Sequence, residues 1–236
     1  MELSVRLQAV ADLVTEGAFV ADIGTDHAYI PIYLVKQNIC KNVIAMDINK
    51  GPLLIAKEHI KKEQVEQAVT LRQSDGFSSL STGEVSEAII AGMGGGLVVK
   101  ILAAHPHITA SIDSFILQPQ SEIDLVRRYL LEHDFVICKE NMVKDDGKYY
   151  PLMKVRHRRP DEMAEAYEDI HFLYGKLLLE GHNGILLEYI KRDIRIKNSI
   201  VCQLKGQDSL SAKKRMQELL REIELSGKAL GYWSRL

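Results

Sequence analysis

Through the first two-thirds of the chain, short apolar runs alternate with amphipathic stretches of helical period, and this alternation limits the fold more than any other feature. Ser4 is placed to cap a helix that buries Leu7, Val10, Leu13 and Val14. Ala18 to Ile23 reads as a strand ending at Gly24. A helix from about Ala28 to Gln37 follows, where Pro31 is tolerable because it falls in the first turn. Val43 to Met46 is a second strand closed by Asp47, and Pro52, Leu53, Ala56 and Ile60 set the next helix. Further strands are expected at Ala68 to Leu71, Glu87 to Ala91 and Ser114 to Leu117, with helices at Leu97 to Ala104 and Ser121 to His133. Phe135 to Cys138 and Tyr149 to Val155, joined across Lys144-Asp-Asp-Gly-Lys148, read as a closing antiparallel pair. Strands separated by helices of this length imply a mostly parallel sheet covered on both faces.

The pattern changes at Arg156-His-Arg-Arg-Pro160, beyond which no run reads as a strand. Leu187, Ile190, Ile194, Val201 and Leu204 keep a 3-4 spacing interrupted by Lys197, and Met216, Leu220 and Ile223 form a second stripe. With a break at Gly206-Gln-Asp208, these predict two helices packed as a short coiled-coil hairpin, with Trp233 and Leu236 packing its end. The expected domains are therefore residues 1–159, α/β, and residues 160–236, helical. The hairpin can pair within the chain or between chains, and a monomer is the working expectation.

Bulk properties narrow the function classes. The chain has 236 residues, 26% of them charged, and a formal charge of −2, so any nucleic-acid surface has to be local. No stretch of 18 apolar residues predicts a membrane helix, and MELSVRLQAV does not read as a secretory signal. Cys40, Cys138 and Cys202 are odd in number and far apart, which suggests buried reduced thiols in a cytosolic protein. No metal is expected, since no His, Cys and Asp cluster has ligand spacing.

The strongest local signal is Val20-Ala-Asp-Ile-Gly-Thr-Asp-His27. A glycine after a strand and before a helix lets a ligand approach the backbone and the free N–H groups of the helix start. Dinucleotide enzymes need three glycines there to receive a pyrophosphate. This chain has Gly24 alone and places Asp26 and His27 where the fingerprint would be open. A carboxylate repels a pyrophosphate but attracts the ammonium and sulfonium of S-adenosylmethionine. Asp26 is alternatively a helix cap, Asp22 a polar strand end and His27 a turn residue. Asp47, some 20 residues past Gly24, suits ribose hydroxyls or a helix cap. Asp75, in Ser74-Asp-Gly-Phe77, suits an adenine amino group or is an ordinary turn. Ala91-Gly-Met-Gly-Gly-Gly-Leu97 leaves room for a donor methyl and a planar acceptor, or is simply a flexible loop. Gln118-Pro-Gln120 lines the same crevice or is structural.

Together, Leu3-Ser-Val-Arg-Leu7, Ala21-Asp-Ile-Gly-Thr-Asp-His-Ala-Tyr-Ile-Pro31, Ala91-Gly-Met-Gly-Gly95 and Leu117-Gln-Pro-Gln120 resemble the bacterial tRNA (adenine-22-N1)-methyltransferases. The resemblance extends through the helical tail. It implies a class I, Rossmann-like S-adenosylmethionine-dependent methyltransferase fold with a C-terminal coiled coil, acting on N1 of an adenosine in the tRNA D-arm region. It also places the methionine part of the cofactor at Asp22, Gly24, Thr25, Asp26 and His27. The ribose then falls at Asp47, the adenine at Asp75, and Gly92, Met93 and Gly94 beside the reaction centre. Thr25 is the one small departure, serine being commoner there.

Adenine N1 carries an in-plane lone pair, so alignment matters more than proton removal. The product base is cationic, and Asp26 is the candidate catalytic carboxylate for that charge. Arg156, Arg158, Arg159, Lys191, Arg192, Arg195 and Lys213 to Arg215 are candidate phosphate contacts, although charged helix faces are also commonly just solvated. Rival readings are methyl transfer to another RNA or a small molecule, a nucleotide-binding dehydrogenase, and a non-catalytic binding module.

Overall fold

A computed structural model describes residues 2–207 and 209–235. Asp208 and Leu236, named above in the tail, lie outside the described residues. The chain divides into two compact units, Met1–Ala164 and Glu165–Leu236.

In the first unit, helix α1 (Val5–Ala11) precedes β1 (Val20–Ile23), α2 (Tyr29–Lys36), β2 (Val43–Asp47), α3 (Lys50–Lys62) and β3 (Val69–Gln73). After these come β4 (Glu87–Gly94), α4 (Gly95–Ala104), α5 (Pro106–Thr109), β5 (Ser114–Ser121), α6 (Ile123–Glu132), β6 (Phe135–Asp145) and β7 (Lys148–His157). The seven strands form one sheet in the order β3-β2-β1-β4-β5-β7-β6. Only β7 runs against the others, pairing antiparallel with both β5 and β6. The chain builds β1, β2 and β3 outward, then returns to place β4 beside β1. That reversal is the switch point at which ligands bind in such sheets, outside the carboxyl ends of the strands.

Local chemistry accounts for these elements. The Ser4 hydroxyl accepts from the Leu7 amide and caps α1, whose buried residues are Ala9, Val10 and Ala11. The helix ends earlier than its apolar spacing suggests, so Leu13 and Val14 pack on the core from the turn that follows. β1 is buried along its whole length, as a central parallel strand covered on both faces requires. Asp146 and Gly147 both take positive φ, which makes the two-residue turn between β6 and β7 that right-twisted strands favour.

Two expected loops are strand. The Gly92-Met-Gly94 stretch extends β4, pairing with β5 as far as Gly94 and Ser121. Gly92 is skipped in the register and has φ +80°, the mark of a glycine bulge rather than a flexible loop. Gln118-Pro-Gln120 likewise extends β5. Pro119 is tolerated because β7 stops pairing at Leu117 and the register with β4 is broken there by the Gly92 bulge, an edge-and-bulge position that accepts a residue without N–H.

The cysteine expectation needs correcting, because only Cys40 is buried. Burial pushes its thiol up to about 11, helped by the Glu87 charge. Cys138 is exposed at the register irregularity of edge strand β6, and Cys202 lies on an exposed face of the tail.

The second unit is helical, with α7 (Asp169–Tyr174), α8 (Lys176–Glu180), α9 (Gly184–Leu204) and α10 (Leu210–Leu230), then a 3-10 turn at Trp233–Arg235. α9 buries Leu186, Ile190 and Val201. α10 buries Ala212, Leu219, Ser226 and Ala229, so its inner face is turned from the one expected, and Leu220 is 48% exposed. Lys197 sits where α9 meets α10 and bridges Asp193 at 2.6 Å and Glu222 at 2.9 Å. Burial works against its charge, but these hydrogen bonds prevail and hold its pKa above the usual lysine range. The break in the apolar stripe is therefore an internal ion-pair network. The Trp233 ring packs edge-on against His182, 6.2 Å between centroids.

Candidate active site

A cleft of about 400 Å³ opens at the switch point. Its walls are Arg6 and Leu7 of α1, Asp22 of β1 with Gly24 and Asp26 just beyond it, Tyr29 and Ile30 of α2, Asp47 of β2, the β4 segment Ala91-Gly92-Met93, and Gln120 of β5. Four separate strand ends and two helix starts thus converge on one space.

Gly24 turns the chain out of β1. Its amide and that of Thr25 both donate to Met46 O at 2.8 Å, which pins the corner to β2. Its φ of +73° is a left-handed conformation that favours glycine, and a Cβ there would lie 2.2 Å from Met93 Cε. His27 and Ala28 then also take positive φ, at 61° and 58°, an uncommon pair for residues with side chains. Ala28 is the cap residue of α2 and offers no side-chain acceptor. Asp26 therefore does not cap α2, and the first N–H groups of that helix stay available beside the cleft. The Asp26 side chain is 80% exposed, with Oδ1 3.0 Å from His27 Nε2.

Asp22 is the chemically unusual group. It is 5% exposed and forms no ion pair among the described residues. Burial pushes its carboxyl up to about 6, the neighbouring Thr25 hydroxyl opposes the rise, and the charge of Asp47 adds to it. Thr25 Oγ1 itself is buried without a well-formed hydrogen bond. A buried carboxylate lacking a cation, open to a cleft, is suited to a cationic ligand. Asp47 is not a helix cap either, since the residue in that position is Asn49; Asp47 Oδ1 instead accepts the Asn49 amide at 2.7 Å and its carboxylate edges the cleft.

Of the residues singled out from the sequence, the structure brings Asp22, Gly24, Asp26, Asp47, Gly92, Met93 and Gln120 together. Thr25, His27, Asp75 and Gly94 do not line the cleft: Thr25 is buried behind it, Asp75 is exposed past β3, and Gly94 packs 3.1 Å from Ser121 Oγ when given a Cβ. Arg6 was not foreseen as a site residue. Its guanidinium donates to Gln118 Oε1 at 2.9 Å and lies 5.6 Å from the Tyr150 ring centre, and its backbone N–H donates to Asp145 Oδ2. The only hint was its place in Leu3-Ser-Val-Arg-Leu7. Tyr29 and Ile30 were missed because helical spacing alone reads them as core.

Residues 3–153, which contain every wall of this cleft, match the methyltransferase-domain family. The Bacillus subtilis tRNA (adenine(22)-N(1))-methyltransferase is 32% identical over 230 residues, covering 95% of each chain. The chain belongs to the tRNA (adenine(22)-N1)-methyltransferase family. The fold agrees with solved family members. The crystal structure of the B. subtilis m1A22 tRNA methyltransferase TrmK superimposes with a TM-score of 0.85 at 31% identity, covering 97% of this chain and 99% of that one. A Streptococcus pneumoniae protein described as a putative tRNA (m1A22) methyltransferase, solved in complex with S-adenosyl-L-methionine, gives 0.84 at 26% identity, covering 97% and 100%.

The basic residues of this family member fall into two groups. Arg156 is bound by both carboxylate oxygens of Glu162, at 2.6 and 2.5 Å, and its hydrogen bond holds the Glu162 carboxyl down at about 2. Arg158 is paired with Asp134, and Arg215 with Glu218 at 3.1 Å. Arg159 is exposed, as are Lys191, Arg192, Arg195, Lys213 and Lys214 in the helical unit. Lys191 and Arg195 lie four residues apart on α9 and form no ion pair among the described residues. Among the described residues no helix is long and apolar enough to cross a membrane.

Proposed function

We propose that this protein is a cytoplasmic enzyme that uses S-adenosylmethionine to methylate N1 of adenosine 22 in the D-arm region of tRNA. The observation that carries this reading is the alignment over 95% of both chains with the B. subtilis enzyme of that name. The cleft has the matching chemistry. Asp22 and the uncapped start of α2 fit the charged amino-acid end of the donor and Asp47 its ribose hydroxyls; Asp75, exposed just past β3 and outside the walls of the cleft, is the candidate for its adenine. S-adenosylmethionine supplies an electrophilic methyl group on a sulfonium.

The protein's own residues then have two tasks. The first is to hold an adenine with N1 aimed along the transfer direction, since its lone pair needs no base. N1 is tied up in paired RNA, so the adenine has to be unpaired or drawn out of its stack. The second is to favour the positive charge that develops on the base. Asp26, exposed at the cleft, has the right charge and can accept a hydrogen bond from the exocyclic amine.

The test is methylation of unmodified tRNA by the purified protein with labelled donor, with the product nucleoside identified and mapped. N1-methyladenosine at position 22 is the expected product, with Asp26→Ala lowering turnover by about 100-fold, more than it lowers donor affinity. A product at another position or on another nucleoside overturns the substrate reading. Collapse of donor binding with unchanged turnover at saturation overturns the role of Asp26.

A further inference from the structure

Two glutamines stand two residues apart on β5, where alternate residues share a face, and they are used differently. Gln118 is fully buried and committed, accepting from Arg6 at Oε1 and donating to Pro119 O at 3.2 Å. Gln120 is exposed, lines the cleft, and its amide makes no hydrogen bond among the described residues. The Gln120 Nε2 comes within 3.7 Å of where a Cβ on Gly92 would sit, and an Arg6 guanidinium nitrogen comes within 3.6 Å of the same point. The bulge in β4 thus clears a space that Gln120 and Arg6 face and that a side chain at Gly92 would occupy.

We infer that Gln120 is a specificity residue that reads the target adenine through its Hoogsteen edge, accepting from N6–H at Oε1 and donating from Nε2 to N7. This rests on the proposed adenine-N1 chemistry. N1 has to face the methyl donor, which leaves the N6/N7 side of the ring as the edge open to recognition. A carboxamide matches that edge because it presents one acceptor and one donor at the spacing of N6–H and N7. Guanine presents two acceptors there, O6 and N7, and meets the Gln120 oxygen with a lone pair. Arg6 cannot substitute, since a guanidinium only donates. The two hydrogens of N6 are divided: one to Gln120 on the N7 side, the other to Asp26 on the N1 side.

The experiment compares wild type and Gln120→Ala on two tRNAs, one unmodified and one carrying 7-deazaadenosine at position 22, which lacks the N7 acceptor and keeps N1 and N6. Wild type is expected to lose about 10-fold in kcat/KM on the 7-deaza substrate, a share of what a bidentate contact is worth. Gln120→Ala is expected to lose at least as much on unmodified tRNA and to treat the two tRNAs alike, with donor affinity unchanged by calorimetry. Equal use of both tRNAs by wild type overturns the inference without recourse to the variant. So does a variant that still discriminates against the 7-deaza base. If wild type methylates neither tRNA at position 22 under any condition, the underlying adenine-N1 reading fails first, and the two failures are told apart by that control.

Discussion

At the scale of single residues, the chemistry of this protein is set by a carboxylate kept where water would not leave it. Asp22 is buried with no ion pair among the described residues, and burial pushes its carboxyl from the ordinary 3.8 up to about 6. A folded-state pKa raised in this way makes a contribution to stability that is present below about 3.8 and lost as pH rises through 6. At neutral pH the unliganded protein therefore carries a cost on the order of 3 kcal/mol for holding the charge. Asp22→Asn should remove that cost. In thermal or denaturant melts without donor, the variant is expected to be the more stable protein at pH 8, with the two curves converging near pH 4. Its affinity for S-adenosylmethionine should fall by 10-fold or more, because the amide cannot answer the ammonium group. A variant less stable than wild type at pH 8 would show that Asp22 is a structural acceptor instead.

At the scale of elements, the site depends on how β4 enters α4. Gly95 begins α4 with a backbone that any residue could adopt, yet a Cβ there would lie 2.5 Å from Glu122 O and 2.6 Å from Ser121 O. Those are main-chain atoms of the β5 to α6 corner and cannot swing aside. Gly95→Ala should force the two corners apart and lower unfolding stability by about 1–3 kcal/mol. At the next position, Gly96→Ala meets only the Glu122 carboxylate at 3.4 Å and should change stability by well under 1 kcal/mol. Denaturant titration of the pair measures this, and equal effects would mean the junction is not tightly packed. The same junction shows what could be read from the sequence. Every strand of the sheet was legible by position, because period-two or fully apolar runs bounded by turn residues report burial directly, but β6 runs on to Asp145, beyond the apolar stretch that ends at Cys138. The glycines at 92, 94, 95 and 96 were legible as a site, but not as a bulged strand followed by a helix that needs room. That distinction depends on the carbonyls of Ser121 and Glu122, which are remote in sequence. Arg6 was hidden for the same reason: its partner Gln118 is more than a hundred residues away. The face of α10 was misjudged because Ala212 and Ser226 are small enough to be buried, and hydropathy ranks Leu220 above both.

At the scale of the whole molecule, a net charge of −2 has to be reconciled with binding a polyanion. The basic side chains are not equivalent in this respect. Arg156 and Arg158 already hold Glu162 and Asp134, so reaching a phosphate would require breaking contacts made within the protein. Lys191 and Arg195 have no such commitment and share a face of α9, with Arg195 Nε donating to the Lys191 carbonyl at 3.3 Å. If this face follows the RNA backbone, each lost phosphate contact removes released counterions as well as attraction. The double variant Lys191→Glu, Arg195→Glu should then bind tRNA about 10-fold or more weakly near 0.1 M salt. The slope of log affinity against log salt should become shallower by about 1–2. Donor affinity should be unchanged, because Asp22, Gly24 and Asp47 belong to the other compact unit. Arg156→Ala gives the contrast, freeing Glu162 and lowering stability with little change in the salt slope. Were the α9 variant to bind tRNA with wild-type affinity and slope, the exposed cations of the helical unit would be solvated surface, and the RNA contacts would have to lie on the unit that carries the cleft.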